Sequence, residues 1–264
     1  MCKVFELSRA GYYAWKRRSK RDNDPRKAII KKVYIDSKKI YGYRKIVITL
    51  REKENIVINH KAVLRIMREI GIRSIARKRK PYPKPNQLGT HHKYENVLNQ
   101  NFQASHPNQK WVTDITYIRT QQGWAYLSVI KDLYDGYIVA HNVSRSQSLQ
   151  LVLNTLRIAK QKERVTDGIL LHSDQGFQYT SHAYFTLLKE YKISPSMSRR
   201  GNCYDNAVIE NFFGHFKQEA LQLHYLPSFQ EVCDLVDQYI YFYNFERIQL
   251  KTKQTPYQLR CLLL

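Results

Sequence analysis

Three acidic side chains stand where acids are not expected. "GILLHSDQGFQYTS" is an apolar run that ends in Asp174 before Gly176 breaks it, and "WVTDITY" sets Asp114 among β-branched residues. "NAVIENFFGHFKQE" puts Glu210 between Ile209 and Phe212. A buried carboxylate is costly unless something positive faces it. Carboxylate oxygens are hard ligands suited to Mg²⁺ or Mn²⁺, and no neighbouring Cys or His cluster points to a softer metal. Two such ions held by Asp114, Asp174 and Glu210 would activate an attacking hydroxyl and stabilise the leaving oxygen of an in-line phosphoryl transfer. Taken singly, a strand-end aspartate is more often a turn or cap residue. Three of them, each in an apolar setting and inside a basic protein, favour the metal.

The surroundings of Glu210 extend the pattern. The segment after Asn206 reads as a helix, with Asn206 four residues before Glu210 and Lys217 seven after, so that all three project from nearly one face. An amide and an ammonium would then flank the metal and hold a nucleic-acid backbone, against the plainer reading of Lys217 as a solvated surface lysine. Just upstream, "SMSRRGNCYDN" carries Arg199, Arg200 and Gly201 in what reads as a mobile loop able to clamp DNA. His172, at the end of its strand, is more often a structural hydrogen-bonding residue than a catalytic one.

These residues need a scaffold. "WVTDITYIRT", "WAYLSVIKDLY" and "YIVAHNVS" are strand-like runs separated by "QQG" and "DG" turn signals, an expected antiparallel meander. "QSLQLVLNTLRIAKQ" follows with Leu149, Val152, Leu153 and Leu156 at helical spacing, then the "GILLHSD" strand and a helix in "SHAYFTLLKEYK". Strand, strand, strand, helix, strand, helix predicts an α/β fold, a mixed sheet flanked by helices. If the Asp114 strand and the Asp174 strand are neighbours, their carboxylates meet at one edge of that sheet. "NAVIENFFGHFKQEAL" and "FQEVCDLVDQYIYFYNF" predict two further helices packed through aromatic faces.

The net charge of +22 is unevenly placed: residues 1–100 hold 27 basic and 8 acidic side chains, and the remainder holds 17 and 14. The first part therefore reads as a polyanion-binding module. Ser8 is a plausible cap for a short helix in "SRAGYYAWKRR", and Asn59 opens "HKAVLRIMREIGI", where Val63, Ile66, Met67 and Ile70 form one stripe while Lys61, Arg65 and Arg68 lie off it. Two short helices with the second one basic describe a small all-α helix-turn-helix, with Arg44 in the helix before as a further candidate DNA contact. "RSIARKRKPYPKPNQ" reads as an extended linker along a phosphate backbone. The expected division is 1–72 for DNA binding, 73–106 for the linker and 107–264 for the core. No apolar run approaches the roughly 20 residues that span a bilayer, and no signal peptide is visible. Four cysteines scattered without a C-x-x-C pair argue against structural zinc and fit a reducing cytoplasm.

With these residues in hand, the chain resembles the transposases of bacterial insertion sequences, specifically the second reading frame of the IS-three family, and through its core the retroviral integrases. "WVTDITYI", "HSDQGFQYTS" and "SMSRRGNCYDNAVIENFFGHFKQE" match that family's three acidic blocks, with thirty-five residues between Asp174 and Glu210. "SRAGYYAW", "YGYRKI" and "NHKAVLRIMRE" match its N-terminal part and "YNFERIQLKTKQTP" its C-terminal end, so the likeness covers almost the whole chain. It implies an RNase H-like core with Asp114, Asp174 and Glu210 as metal ligands and Lys217 as the associated basic residue. It also implies strand cleavage by water followed by transfer of the freed 3′-hydroxyl. The implied partners are double-stranded DNA, both terminal inverted repeats and target, other copies of the chain in a homo-oligomer, and the product of an upstream frame. That frame's own helix-turn-helix and leucine zipper are not identifiable before Met1. The tail "KTKQTP" departs from the family pattern, with Thr252 and Gln254 where a leucine and a glycine are common.

Two other classes compete. A non-catalytic DNA-binding protein or transposase remnant would use the core for assembly or regulation, and the intact acidic triad speaks against it. A plain ribonuclease of the same fold is disfavoured by the basic helical module and by the placement of Lys217.

Overall fold

The computed structural model describes residues 8–19, 24–75, 93–163, 168–221 and 225–262. The chain divides into two compact units, Met1–Ala76 and Arg77–Leu264. Pro81, Pro83 and Pro85 of the expected linker, and the basic run 77–80, lie outside the described residues.

The described part of the first unit is helical. α1 (Arg9–Ser19) starts at Ser8, whose Oγ accepts the Gly11 N–H at 2.9 Å. α2 (Arg26–Asp36), α3 (Tyr43–Glu54) and α4 (His60–Glu69) bury Ile30 and Val33, Ile46 and Leu50, and Val63, Ile66 and Met67 respectively. The apolar spacing runs on from α2 into α3, but the backbone breaks between them at Lys38 and Lys39, which take positive φ of 52° and 64°. α3 stops at Asn55, in the left-handed conformation that asparagine tolerates. α4 then begins where the Asn59 side chain accepts the Lys61 N–H at 2.8 Å, satisfying one of the donors orphaned at a helix start. Its i, i+3, i+4 stripe of Val63, Ile66 and Met67 turns inward and leaves Lys61, Arg65 and Arg68 exposed.

The second unit is built on a five-stranded mixed sheet. β1 (Lys110–Thr120), β2 (Gly123–Asp132) and β3 (Ile138–Ser144) form the expected meander, turned at Gly123 and Gly136, whose φ values of 112° and 77° favour glycine. α5 (Leu149–Glu163) then carries the chain across to β4 (Leu170–Ser173), which pairs parallel to β1. α6 (His182–Glu190), capped by Ser181, leads to β5 (Ser194–Met197), parallel to β4. The order is β3-β2-β1-β4-β5, so β1 is the central strand. A 3₁₀ turn (Cys203–Asn206), α7 (Ala207–Glu219), α8 (Phe229–Tyr241), a π-helical turn (Phe242–Glu246) and α9 (Pro256–Cys261) follow. β5 is an addition to the expected strands: "SPSM" carries a proline, which only an edge strand accommodates.

One face of the sheet packs Trp111, Ile130, Val139 and Leu171 against Val152 and Leu156 of α5 and Tyr184 and Leu188 of α6. Alternation sends Val112 and Lys131 to the other face, where the Lys131 ammonium sits 5.8 Å from the Phe212 ring of α7 and 5.5 Å from the Tyr243 ring of the π-helical turn. The aromatic packing of α7 against α8 was expected, and Phe216–Tyr239 at 5.3 Å is one of its edge contacts. The segment before β1 is laid on this unit: Leu98 is buried and its N–H reaches Ser196 Oγ at 3.0 Å.

Two polar clusters fasten the ends. Buried Glu219 of α7 accepts Arg247 Nε and Nη2 at 2.8 and 2.7 Å and the Tyr239 hydroxyl at 2.8 Å. Arg260 of α9 reaches back to Asp132 of β2, Asp135 of the following turn and Glu163 of α5 at 3.2, 2.6 and 2.5 Å. No helix among the described residues is long and apolar enough to cross a membrane.

Candidate active site

The register of the parallel pair decides the site. Val112 of β1 stands opposite His172 of β4. Two residues further along both chains come Asp114 and Asp174, carried to one level and one face, just where β4 has ended. That is the carboxyl edge of the parallel strands, where open α/β sheets bind their ligands. Asp114 Oδ1 accepts the Ile115 N–H at 2.7 Å and Asp174 Oδ1 accepts the Gly176 N–H at 2.9 Å. A Cβ at position 176 would meet Asp174 Oδ1 at 2.9 Å, so a side chain there would displace that carboxylate.

The carboxylates act on one another. Burial pushes Asp114 well above the usual carboxylate range and Asp174 pushes it further, with Glu210 adding less and the Ile115 N–H and Lys217 opposing. Asp174 is raised by burial against the Gly176 N–H, and Glu210 by burial and then by Asp174. Burial disfavours the charged form and like charges disfavour it again. Among the described residues, no three Asp, Glu, His or Cys side chains close into a ready metal-holding group. Asp114 and Asp174 are thus brought together, while Glu210 sits exposed on the first turn of α7, within their field.

α7 also does something the helical spacing did not foretell. β4 pairs with β1 only over Lys110–Val112, which leaves the rest of that edge without a strand. α7 and the turn before it occupy it: the buried Asn206 donates from Nδ2 to the Thr113 carbonyl at 3.4 Å, and Lys217 holds its ammonium 4.7 Å from the Tyr117 ring. Asn206 Oδ1 is buried with no hydrogen-bond partner among the described residues. Half-buried Lys217 is lowered by burial and raised by Asp114. It is therefore electrically part of the acidic edge.

In the loop of Arg199 and Arg200, the Arg199 guanidinium gives Nε and Nη2 to buried Asp205 at 3.0 and 2.9 Å and its backbone N–H adds a third bond at 2.9 Å. Gln100 Nε2 reaches the same carboxylate at 2.9 Å, and together these bonds hold Asp205 well below the usual carboxylate range, with Arg199 the main cause. Arg200 is exposed. His172 is structural, as expected of a strand-end histidine: its ring lies between Ser196 Oγ at 2.8 Å and Ser198 Oγ at 3.0 Å, and burial lowers it to about 4. Arg44, Lys61, Arg65 and Arg68 are exposed on the first unit, where Arg65 meets Glu69 at 3.4 Å and Arg44 Nε donates to the Tyr43 hydroxyl at 3.1 Å.

Sequence reasoning missed Tyr179. It is buried, its hydroxyl stands 3.4 Å from Thr113 Oγ1, and its ionisation is pushed far up by burial and then by Asp114 and Asp174. The only signal was an aromatic residue in the polar turn "DQGFQYTS".

An integrase core domain family model matches residues 104–203, a second integrase core domain model matches 191–248, and an HTH-like domain model matches 20–80. The InsK protein of insertion sequence element IS150 in Escherichia coli (strain K12) is 38% identical over 252 residues, 94% of this chain and 88% of its own length. The transposase InsF for insertion sequence IS3A of the same organism is 34% identical over 227 residues, 84% of this chain and 78% of its own. The HTLV-2 integrase catalytic core domain in complex with magnesium matches at 16% identity and a TM-score of 0.47, covering 59% of this chain and 98% of that one.

Proposed function

The chain belongs to the insertion-sequence transposases built on an integrase core, and from that membership we propose that it cuts and rejoins DNA with Asp114, Asp174 and Glu210 as its metal-holding set. The observation that carries this reading is the parallel register of β1 and β4, which brings Asp114 and Asp174 to the same end of the two strands, with Glu210 of α7 near enough to raise Asp114. The donor set fits a divalent ion. It is all carboxylate oxygen, and only one oxygen of each aspartate is engaged by a backbone N–H. Two Mg²⁺ or Mn²⁺ ions held there would activate the attacking hydroxyl and offset charge at the leaving oxygen.

In the first step water attacks the scissile phosphodiester and the bond to the 3′-oxygen breaks, leaving a 3′-hydroxyl and a 5′-phosphate. In the second, the freed 3′-hydroxyl attacks a phosphodiester of another strand, so that one P–O bond forms for each that breaks. The residues of the chain orient the DNA. Lys217, over the Tyr117 ring and in the field of Asp114, presents an ammonium to the phosphate backbone. Asn206 keeps Thr113, and with it Asp114, in place. His172, neutral and committed to two serines, stays out of the proton traffic. The DNA partners are the terminal inverted repeats and the target, bound in part through Arg44, Lys61, Arg65 and Arg68. The acting species is a homo-oligomer on DNA, assisted by the upstream-frame product, in the cytoplasm.

The test incubates the full chain with labelled duplexes carrying the element's ends in Mg²⁺, Mn²⁺ or EDTA, beside Glu210→Gln. Metal-dependent nicking and end joining that vanish in the variant are expected. Binding without cleavage, persisting when the upstream-frame product is added, would overturn the catalytic reading in favour of a DNA-binding protein.

A further inference from the structure

The described residues form a pocket of about 180 Å³ far from the acids, at the turn end of the β1–β2 hairpin. Trp124, Tyr126 and Phe229 supply aromatic walls, Gln122 and Thr120 the polar ones, and Arg145 the charge. Among the described residues no acidic side chain lines it. The Arg145 guanidinium stacks 4.7 Å above the Phe229 ring, with no carboxylate paired to it among the described residues. Gln122 spends its Oε1 on the Phe229 N–H at 3.0 Å, which leaves the amide Nε2 as a donor. Trp124 is 48% exposed, and its ring is fixed by an edge contact to Tyr117 at 5.3 Å.

These features suit one kind of ligand. Rigid aromatic faces, a planar cation and an amide donor, with no anion, match a flat ring whose edge carries acceptors and whose chain carries negative charge. Two ring contacts link the pocket to the acidic edge. Lys217, in the field of Asp114, lies over Tyr117, and Tyr117 braces Trp124. Trp124 pairs with Arg119, five residues along β1 from Asp114.

We propose that the Trp124–Arg145–Phe229 pocket receives an unpaired nucleobase of the bound DNA. The inference rests on the reading of the chain as a DNA-binding transposase, but not on the chemistry of its acids. A base leaves the duplex only at the cost of its stacking and pairing, and a mismatch at its position lowers that cost.

The experiment uses the full chain in EDTA, so that no strand is cut, and end-bearing duplexes with 2-aminopurine or a mismatch moved singly along the strand. One position should give a fluorescence change, and a mismatch there should tighten binding by about tenfold. Trp124→Ala should lose both effects while Trp124→Phe keeps them, and thermal melting checks that each variant folds. Arg145→Gln, on the exposed rim, should weaken the mismatch preference even if Trp124→Ala proves unfolded. Equal affinity of wild type and both variants for matched and mismatched DNA would overturn the proposal. So would a change in self-association without any change in base response, which would make the pocket a seat for another copy. A base response in a chain that never cuts DNA would sink the catalytic reading and leave this one standing.

Discussion

Asp114 is a buried carboxylate set beside a second one, Asp174. Its folded-state ionisation lies well above that of an unfolded aspartate because of burial and Asp174, so the folded chain holds more protons and stability falls as pH rises through that interval. Neutralising it should therefore stabilise the protein while disabling the proposed chemistry. In EDTA at neutral pH, Asp114→Asn is expected to melt higher than wild type, by about 2–4 °C for each kcal/mol of relieved repulsion. The difference should shrink towards acid, and Mg²⁺ should raise the wild-type midpoint while leaving the variant where it was. Calorimetry with and without the ion checks both, and a variant that melts lower at every pH would contradict the account. His172 works with the opposite sign. Its folded value of about 4 lies below the ordinary 6.5, so stability present at neutral pH is lost as pH falls through that window. Replacing Ser196 or Ser198 removes a ring partner and should cost about 1 kcal/mol, read from urea unfolding.

Ion pairs between elements fasten the terminal helices to the rest of the second unit. α9 is only six residues long, too short to be stable alone, and Arg260 pins it to β2 and α5 through Asp132, Asp135 and Glu163. Removing that arginine leaves three buried or half-buried carboxylates facing one another. Arg260→Ala is expected to cost about 3–5 kcal/mol in a urea titration at neutral pH. Asp135, raised to about 6 by burial and then by Asp132, contributes stability that declines as pH rises from its unfolded 3.8 to about 6. Asp135→Asn should flatten that part of the stability curve, and an unchanged slope between pH 4 and 6 would refute the assignment. The Glu219–Arg247–Tyr239 cluster fixes the far end of α7 in the same way, and with it the position of Lys217.

The +22 charge sits mostly in the first hundred residues, so affinity and catalysis are expected to separate in the whole molecule. Replacing Lys61, Arg65 and Arg68 together by alanine should weaken DNA binding and reduce the slope of log K against log salt by about 0.9 for each lost phosphate contact. Filter binding across a salt series measures it. An unchanged affinity and slope would place the DNA elsewhere on the chain. The Glu210→Gln variant should show the reverse pattern, with binding intact and cutting lost.

The unusual settings of Asp114 and Asp174 were legible in the sequence because a carboxylate inside an apolar run contradicts its surroundings, whereas Glu210, which its apolar neighbours set apart as out of place on a surface, stands exposed; a helix stripe or strand alternation is written in local spacing. Val63, Ile66 and Met67 turned inward as their spacing required, and the caps at Ser8, Asn59 and Ser181 formed where those side chains stand. Register is not local. Only the pairing of Val112 with His172 sets Asp114 beside Asp174, and only the shortness of β4 opens the edge that α7 fills with Asn206 and Lys217. Tyr179, the Arg199–Asp205 brace and the Arg260 cluster join residues 66, 6 and up to 128 positions apart. Such contacts arise from packing in three dimensions, and no periodicity in the chain announces them.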